Sequence, residues 1–241
     1  MSMFGAYLGE FIGTAIMILL GSGVVANLNL EKSGMKMKDA GPIQISIAWG
    51  FAVVIPAYIF GNISGAHFNS ALTIALAIDG SFEWAKVPGY IIFQFAGAFV
   101  GACWVYLLFK DHFDATESST TKLGVFATSP SIPNKARNIL SEAIGTFVLV
   151  FAIKGISQVT DIPAGVDKFL LFGIIVVLGM SFGGLTGYAI NPARDLAPRF
   201  AHYILPIQGK GSSNWGYAPV VIVGPLLGAV IAVLLYKYIP W

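Results

Sequence analysis

Charge is what this sequence has least of. Of its 241 residues only 11% are Asp, Glu, Lys or Arg, while 56% are hydrophobic; soluble domains carry about 25% charged residues. Too little polar surface exists to cover a water-soluble globule, so the chain belongs in lipid. The formal net charge is only +2, with no basic block to follow a phosphate backbone, which argues against a nucleic-acid partner. Cysteine is nearly absent: Cys103 stands alone in an apolar run and cannot form an intrachain disulfide. Three histidines without a cysteine cluster suggest no metal site. No nucleophile–base pair or phosphate-cradling loop is evident, so neither a cofactor nor enzyme activity is expected. The first apolar run lacks a basic leader and contains Glu10, so it reads as a retained span rather than a cleaved signal.

What is abundant is long apolar runs. A bilayer span needs roughly 20 mostly apolar residues, and six stretches qualify: about 4–27, 43–60, 87–109, 138–157, 168–184 and 217–238. Two further apolar pieces are too short. One runs from Asn69 to Ile78 and stops at Asp79-Gly80; the other starts at Asn191 and carries Arg194, Asp195 and Arg199, too many charges to face lipid. Each follows a polar, glycine-containing loop, Ser64-Gly65-Ala66-His67-Phe68 and Thr186-Gly187-Tyr188-Ala189-Ile190. Both read as re-entrant half-helices, which membranes tolerate only where protein or a water-filled cavity surrounds the backbone.

The halves repeat. Gly9-Glu10-Phe11-Ile12-Gly13-Thr14 resembles Ser141-Glu142-Ala143-Ile144-Gly145-Thr146, and Gly97 and Gly101 match Gly224 and Gly228. Glycines four apart let helix backbones approach closely. Each half crosses three times, an odd number, so the second is inverted relative to the first, an architecture found in transporters. The expected organisation is one channel domain over 1–241, with a first repeat at 1–110, a connecting loop at 111–137 and a second repeat at 138–241. The fold class expected is an all-α membrane protein with six transmembrane helices and two half-helices in inverted repeats. The polar connector reads as an ordered surface loop.

Asparagine is among the best N-cap residues, so Asn69 and Asn191 should each cap a half-helix and keep a free NH₂ donor at the centre. One such residue alone is only a cap; two at matching repeat positions mark a site. Opposed helix N-termini make a positive zone that repels cations, and a hydroxyl accepting from both asparagines cannot readily relay a proton. The carbonyls of Gly65, Ala66, His67 and Phe68, and of Gly187, Tyr188, Ala189 and Ile190, should line the pore as acceptors. Glu10 and Glu142 are expected to hold the adjacent loops by accepting their N–H groups, with proton relay the sharper alternative; Asp195 is placed with them as loop support. His67 is expected to brace its loop. Arg194 should face water, where it can donate to a hydroxyl and repel cations.

With six spans, two asparagine boxes and an internal repeat, the whole chain resembles the major intrinsic protein family of aquaporins and glycerol facilitators. Asn191-Pro192-Ala193-Arg194-Asp195 is similar to the glycerol-facilitator branch, in which Asp follows Arg, and the stretch from Gly124 to Pro130 looks like that branch too. The resemblance implies a constriction of Trp49, Gly179, Tyr188 and Arg194, in which the aromatics suit a carbon backbone, Arg194 takes hydroxyls, and Gly179 leaves room for the aromatic at 188. It implies passage of glycerol and other small neutral solutes with some water, a homotetramer in the cell membrane, and cytoplasmic termini. Pores for water, urea, dihydroxyacetone or a protonated hydroxy acid, and a proton-coupled carrier using Glu10 and Glu142, are the competing readings.

Two residues depart from the family pattern: Ser70 where the first box usually has Pro, and Tyr188 where facilitators usually have Phe. The lysine count conflicts with the implied topology. Cytoplasmic termini put Lys32, Lys36, Lys38, Lys110, Lys122, Lys135, Arg137 and Lys210 outside, and only Lys86, Lys154, Lys168 and Lys237 inside, against the positive-inside rule.

Overall fold

The computed structural model describes residues 2–36 and 41–239; Lys38 of the lysine count lies outside them. The described residues form nine α-helices: α1 (Met3–Asn29), α2 (Gly41–Ser64), α3 (Ser70–Asp79), α4 (Val87–Ala115), α5 (Ser119–Phe126), α6 (Lys135–Ile156), α7 (Val166–Thr186), α8 (Pro192–Ile204) and α9 (Ala218–Tyr238). Six are long and apolar enough to cross a membrane: α1, α2, α4, α6, α7 and α9. Of the three shorter ones, α3 and α8 are the two half-helices.

Packing follows the inverted repeat. In the first half α1 packs on α4; in the second α6 packs on α9; α2 and α7 meet between the halves. The glycines explain the closeness. A Cβ at Gly97 would lie 2.1 Å from the Phe11 carbonyl oxygen and one at Gly101 2.4 Å from that of Ala15. In the other half, a Cβ at Gly228 would lie 1.9 Å from the Ala143 oxygen. The half-helices exchange partners: α3 packs on α9 and α8 on α4, which locks the two repeats into one body.

Polar side chains are buried beside the apolar core, while large apolar ones face outward. Glu10, Gln94, Asn69, Asn191, Asp195 and Arg199 are buried, whereas Ile92, Leu107, Leu108, Leu227 and Ile231 are exposed, an arrangement stable only with hydrocarbon outside.

The connector departs from the expected surface loop. α4 continues to Ala115, past a local break at Phe109, and α5 follows, capped by Ser118, whose Oγ accepts the Thr121 N–H. Leu123, Val125 and Phe126 are buried, and Phe126 stacks on Phe113 at 5.4 Å. The Ser and Thr that suggested a loop cap and solvate the outer face of this helix. Its apolar residues close one end of the core.

Candidate functional site

The repeated Glu-X-X-Gly-Thr motif builds the two loops. Glu10 accepts four hydrogen bonds: from the backbone N–H of His67 (3.0 Å) and Phe68 (2.8 Å), the Ser64 hydroxyl (2.7 Å) and Gln94 Nε2 (2.8 Å). Glu142 accepts from the N–H of Ala189 (3.0 Å) and Ile190 (2.7 Å). The glycine three residues later makes room for the loop. A Cβ at Gly13 would lie 2.1 Å from the Phe68 ring, and one at Gly145 3.2 Å from Ile190. The threonines turn back on the helix, Thr14 Oγ1 donating to the Glu10 carbonyl and Thr146 Oγ1 to that of Glu142.

These bonds hold a strained backbone. Gly65, Ala66 and Phe68 have φ of 83°, 54° and 46°; Gly187, Tyr188 and Ile190 have 81°, 38° and 45°. Left-handed φ is costly for residues other than glycine, most of all for a β-branched one. The loops therefore carry left-handed residues besides their glycines. Only the glycines signalled the turn, because nothing local marks Phe68 or Ile190 as left-handed.

Both asparagines cap their half-helices. Asn69 Oδ1 accepts from the N–H of Ala71 (3.0 Å) and Leu72 (3.3 Å), and Asn191 Oδ1 from those of Ala193 (3.0 Å) and Arg194 (3.3 Å). Their NH₂ groups are not wholly free, and this corrects the expectation. Asn69 Nδ2 donates to the Ile190 carbonyl at 2.9 Å, and Asn191 Nδ2 to the Phe68 carbonyl at 2.7 Å. Each amide has two hydrogens, so one crosses to the opposite loop and one remains. The carbonyls of Phe68 and Ile190 are thus engaged across the centre, which pins the two half-helix N-termini face to face.

One cavity reaches this centre, and a second meets the first beyond it. One, of about 320 Å³, touches Asn69, Asn191 and the loop residues Gly65 to Phe68 and Tyr188 to Ile190; leucines and isoleucines such as Leu149, Ile153 and Ile175 also line it, and it reaches Lys168 at the start of α7. The other, of about 1630 Å³, opens beside α5 and takes in Ser46, Gly179 and Gly187. The two share Trp49, Tyr188 and Arg194. The Arg194 guanidinium lies 4.2 Å over the Trp49 ring, a cation–π contact. A Cβ at Gly179 would stand 2.9 Å from the Tyr188 hydroxyl, so the absent side chain there is what admits the ring.

Asp195 supports a loop other than its own. Its Oδ2 accepts from the N–H and hydroxyl of Thr128 in the connector, both at 2.7 Å. Its Oδ1 accepts from Arg199 Nε at 2.8 Å. Arg199 is fully buried and also donates to the carbonyls of Thr128 (2.9 Å), Ser213 (2.8 Å) and Asn214 (3.1 Å). Sequence reasoning kept Arg199 out of lipid but gave it no role; its i,i+4 spacing from Asp195 was the available signal. His67 sits as a brace, Nδ1 3.1 Å from Thr73 Oγ1, its ring against Phe82 and Tyr90.

A helical membrane protein whose paired half-helices meet N-terminus to N-terminus at a cavity inside the bundle is of the aquaporin-like class. The match to the major intrinsic protein family model runs over residues 1–236, and the chain belongs to that family. It is 51% identical over 234 residues to the glycerol uptake facilitator protein of Bacillus subtilis, covering 96% of this chain and 84% of that one. The glycerol uptake facilitator protein of Streptococcus pneumoniae is 46% identical over 235 residues, 98% of this chain and 99% of that one. Among solved structures, the aquaglyceroporin from Plasmodium falciparum superposes with a TM-score of 0.88 at 29% identity, covering 99% and 97% of the two chains.

Proposed function

We propose that this chain is a passive channel for glycerol and other small uncharged solutes, with some water, and that it excludes ions and protons. The whole of 1–241 forms one channel domain, with repeats at 1–110 and 138–241 joined through 111–137. The observation that carries the reading is the set shared by both cavities: Trp49, Tyr188 and Arg194. With Gly179 they form the selectivity filter. Two aromatic faces take the carbon backbone of a polyol, and the Arg194 N–H groups take its hydroxyls. A solute then meets the remaining N–H of Asn69 and of Asn191, with the loop carbonyls as acceptors on one side and leucine and isoleucine side chains on the other. The Arg194 charge and the two helix N-termini disfavour cations there. A single hydroxyl held by both asparagines has its lone pairs directed to donors, which interrupts a proton wire.

A proton-coupled carrier has less support. Both carboxylate oxygens of Glu10 and of Glu142 accept N–H bonds, so both carboxylates are committed to the loops. The channel works as a homotetramer in the cell membrane with its termini in the cytoplasm. The family resemblance supports that orientation against the lysine count, and protease access to a C-terminal tag in intact cells decides it.

The test is stopped-flow light scattering of proteoliposomes. Fast re-swelling in a glycerol gradient, with none in sucrose, is expected. Water flux without glycerol flux would favour a water pore, and proton-driven accumulation would refute a passive channel. Replacing Arg194 by Leu, or Gly179 by His, should change the glycerol-to-water ratio.

A further inference from the structure

The aromatic walls of the constriction are seated differently. Trp49 presses on α1 at Gly21, where a Cβ would lie 2.5 Å from its ring, and Arg194 covers it at 4.2 Å. Tyr188 lies along glycines of α7. Its Cδ1 and Cε1 pass Gly183, 3.3 and 3.5 Å from where a Cβ would be, and its Cζ and hydroxyl end at Gly179, both 2.9 Å from that Cβ position. Ser46 of α2 closes the end of this groove, its Oγ 2.8 Å from the same Cβ position.

The hydroxyl at the end of that groove is unusual. Tyr188 is only 8% exposed, and its Oη is buried with no hydrogen-bond partner among the described residues. Leaving a buried donor unpaired costs free energy, and phenylalanine would fill the groove without that cost. Ser46 is 2% exposed and donates to the Pro42 carbonyl at 2.8 Å, so its oxygen keeps lone pairs to accept with. The Tyr188 hydroxyl and the Ser46 Oγ thus flank one point over Gly179, so the ring and α2 share the space that this glycine leaves open.

We propose that Ser46 is a positioning residue for solute selection: with Gly179 it forms a seat that stops the Tyr188 hydroxyl, and the depth of this seat fixes how far the Tyr188 ring stands into the constriction. The solutes it sorts are straight-chain polyols, three-carbon against four-carbon. Deepening the seat lets the ring retreat and admits the larger polyol; filling it drives the ring into the path. This rests on the constriction assigned under the proposed function.

The experiment measures erythritol and glycerol permeability of proteoliposomes holding the full chain, wild type or variant, and reads their ratio. Ser46→Ala removes the oxygen of the seat and Tyr188→Phe the hydroxyl that rests on it, and each is expected to raise the erythritol-to-glycerol ratio severalfold. Gly179→Ala fills the seat and is expected to lower it. Changes of one methylene in a fitted pocket shift discrimination by about tenfold or more, so the effect is well within reach. Ser46→Ala and Tyr188→Phe make no new contact, so the test survives if Gly179→Ala fails to fold. A merely structural role for Ser46 would change yield or melting temperature and leave the ratio alone. An unchanged ratio in Ser46→Ala, with glycerol flux intact, overturns the proposal while leaving the channel standing. A wild type silent to glycerol sinks the channel reading and the seat with it.

Discussion

Four residues after Asn69 stands Thr73; four residues after Asn191 stands Asp195. The frame around them is the same, a glutamate, a glycine seat and an asparagine cap, but the anchoring differs. Thr73 Oγ1 donates to the Asn69 carbonyl (3.0 Å), receives Gln94 Nε2 (2.9 Å) and meets His67 (3.1 Å), so the bonds of this residue all stay within the first repeat. Asp195 reaches Thr128 of the connector and, through Arg199, the carbonyls of Ser213 and Asn214. The second half-helix therefore organises the mouth of the larger cavity as well as the centre. The repeat duplicates the geometry at the midplane, and the charges of one copy differentiate the two ends.

The largest expected effect breaks that asymmetry. Asp195→Ala leaves the Arg199 guanidinium buried without its carboxylate. Orphaning a buried charge costs about 3–5 kcal/mol, so a steep drop in melting temperature in detergent is expected. Thr73→Ala removes a neutral hydroxyl and should cost about 1 kcal/mol. Similar losses in the two variants would mean that the charged network anchors no more than the neutral one.

The glutamates sharpen the comparison at an intermediate scale. Gln puts an NH₂ where one carboxylate oxygen stood. At Glu10 each oxygen accepts two donors, so Glu10→Gln turns two of them against a donor. At Glu142 each oxygen accepts one backbone N–H, so Glu142→Gln turns one away. At about 1–3 kcal/mol per unsatisfied buried donor, Glu10→Gln should be the more destabilising in thermal melting. Glycerol flux should fall in both, because the strained loops lose what holds them. A larger loss in Glu142→Gln would place the burden on backbone strain at Ile190 instead of on donor count.

Much of this was legible in the chain. The spans announced themselves by length, and the asparagines by repeated position at the start of segments too short to cross. The glycines at 97, 101, 224 and 228 announced close helix packing. What stayed hidden depends on residues meeting across the two repeats. That Asn69 donates to the Ile190 carbonyl, 121 positions away, has no local signature. Nor does the reason for the glycine in Glu-X-X-Gly-Thr, which appears only when Phe68 is seen against Gly13. The connector misled because serine and threonine mark helix caps as readily as loops. Arg199 was legible as a charge that could not face lipid, but its acceptors are carbonyls, and carbonyls carry no sequence signal.

The smallest expected effect concerns the first helical residue, Ser70 in one half-helix and Pro192 in the other. Asn69 has φ −146° and ψ 115°, and Asn191 has φ −159° and ψ 111°; both lie in the extended region that a residue before proline prefers. The N–H of a first helical residue has no intrahelical acceptor, so proline gives up nothing there. The Ser70 hydroxyl is buried with no hydrogen-bond partner among the described residues, so removing it loses none of the bonds described. Ser70→Pro should therefore stabilise the protein by about 0.4–1 kcal/mol through a less flexible unfolded chain, read as a higher melting temperature with unchanged glycerol flux. Pro192→Ser should cost a similar amount. If Ser70→Pro instead lowers the melting temperature or closes the pore, the two N-termini are not interchangeable at the point where they meet, and the serine is needed where the half-helices touch.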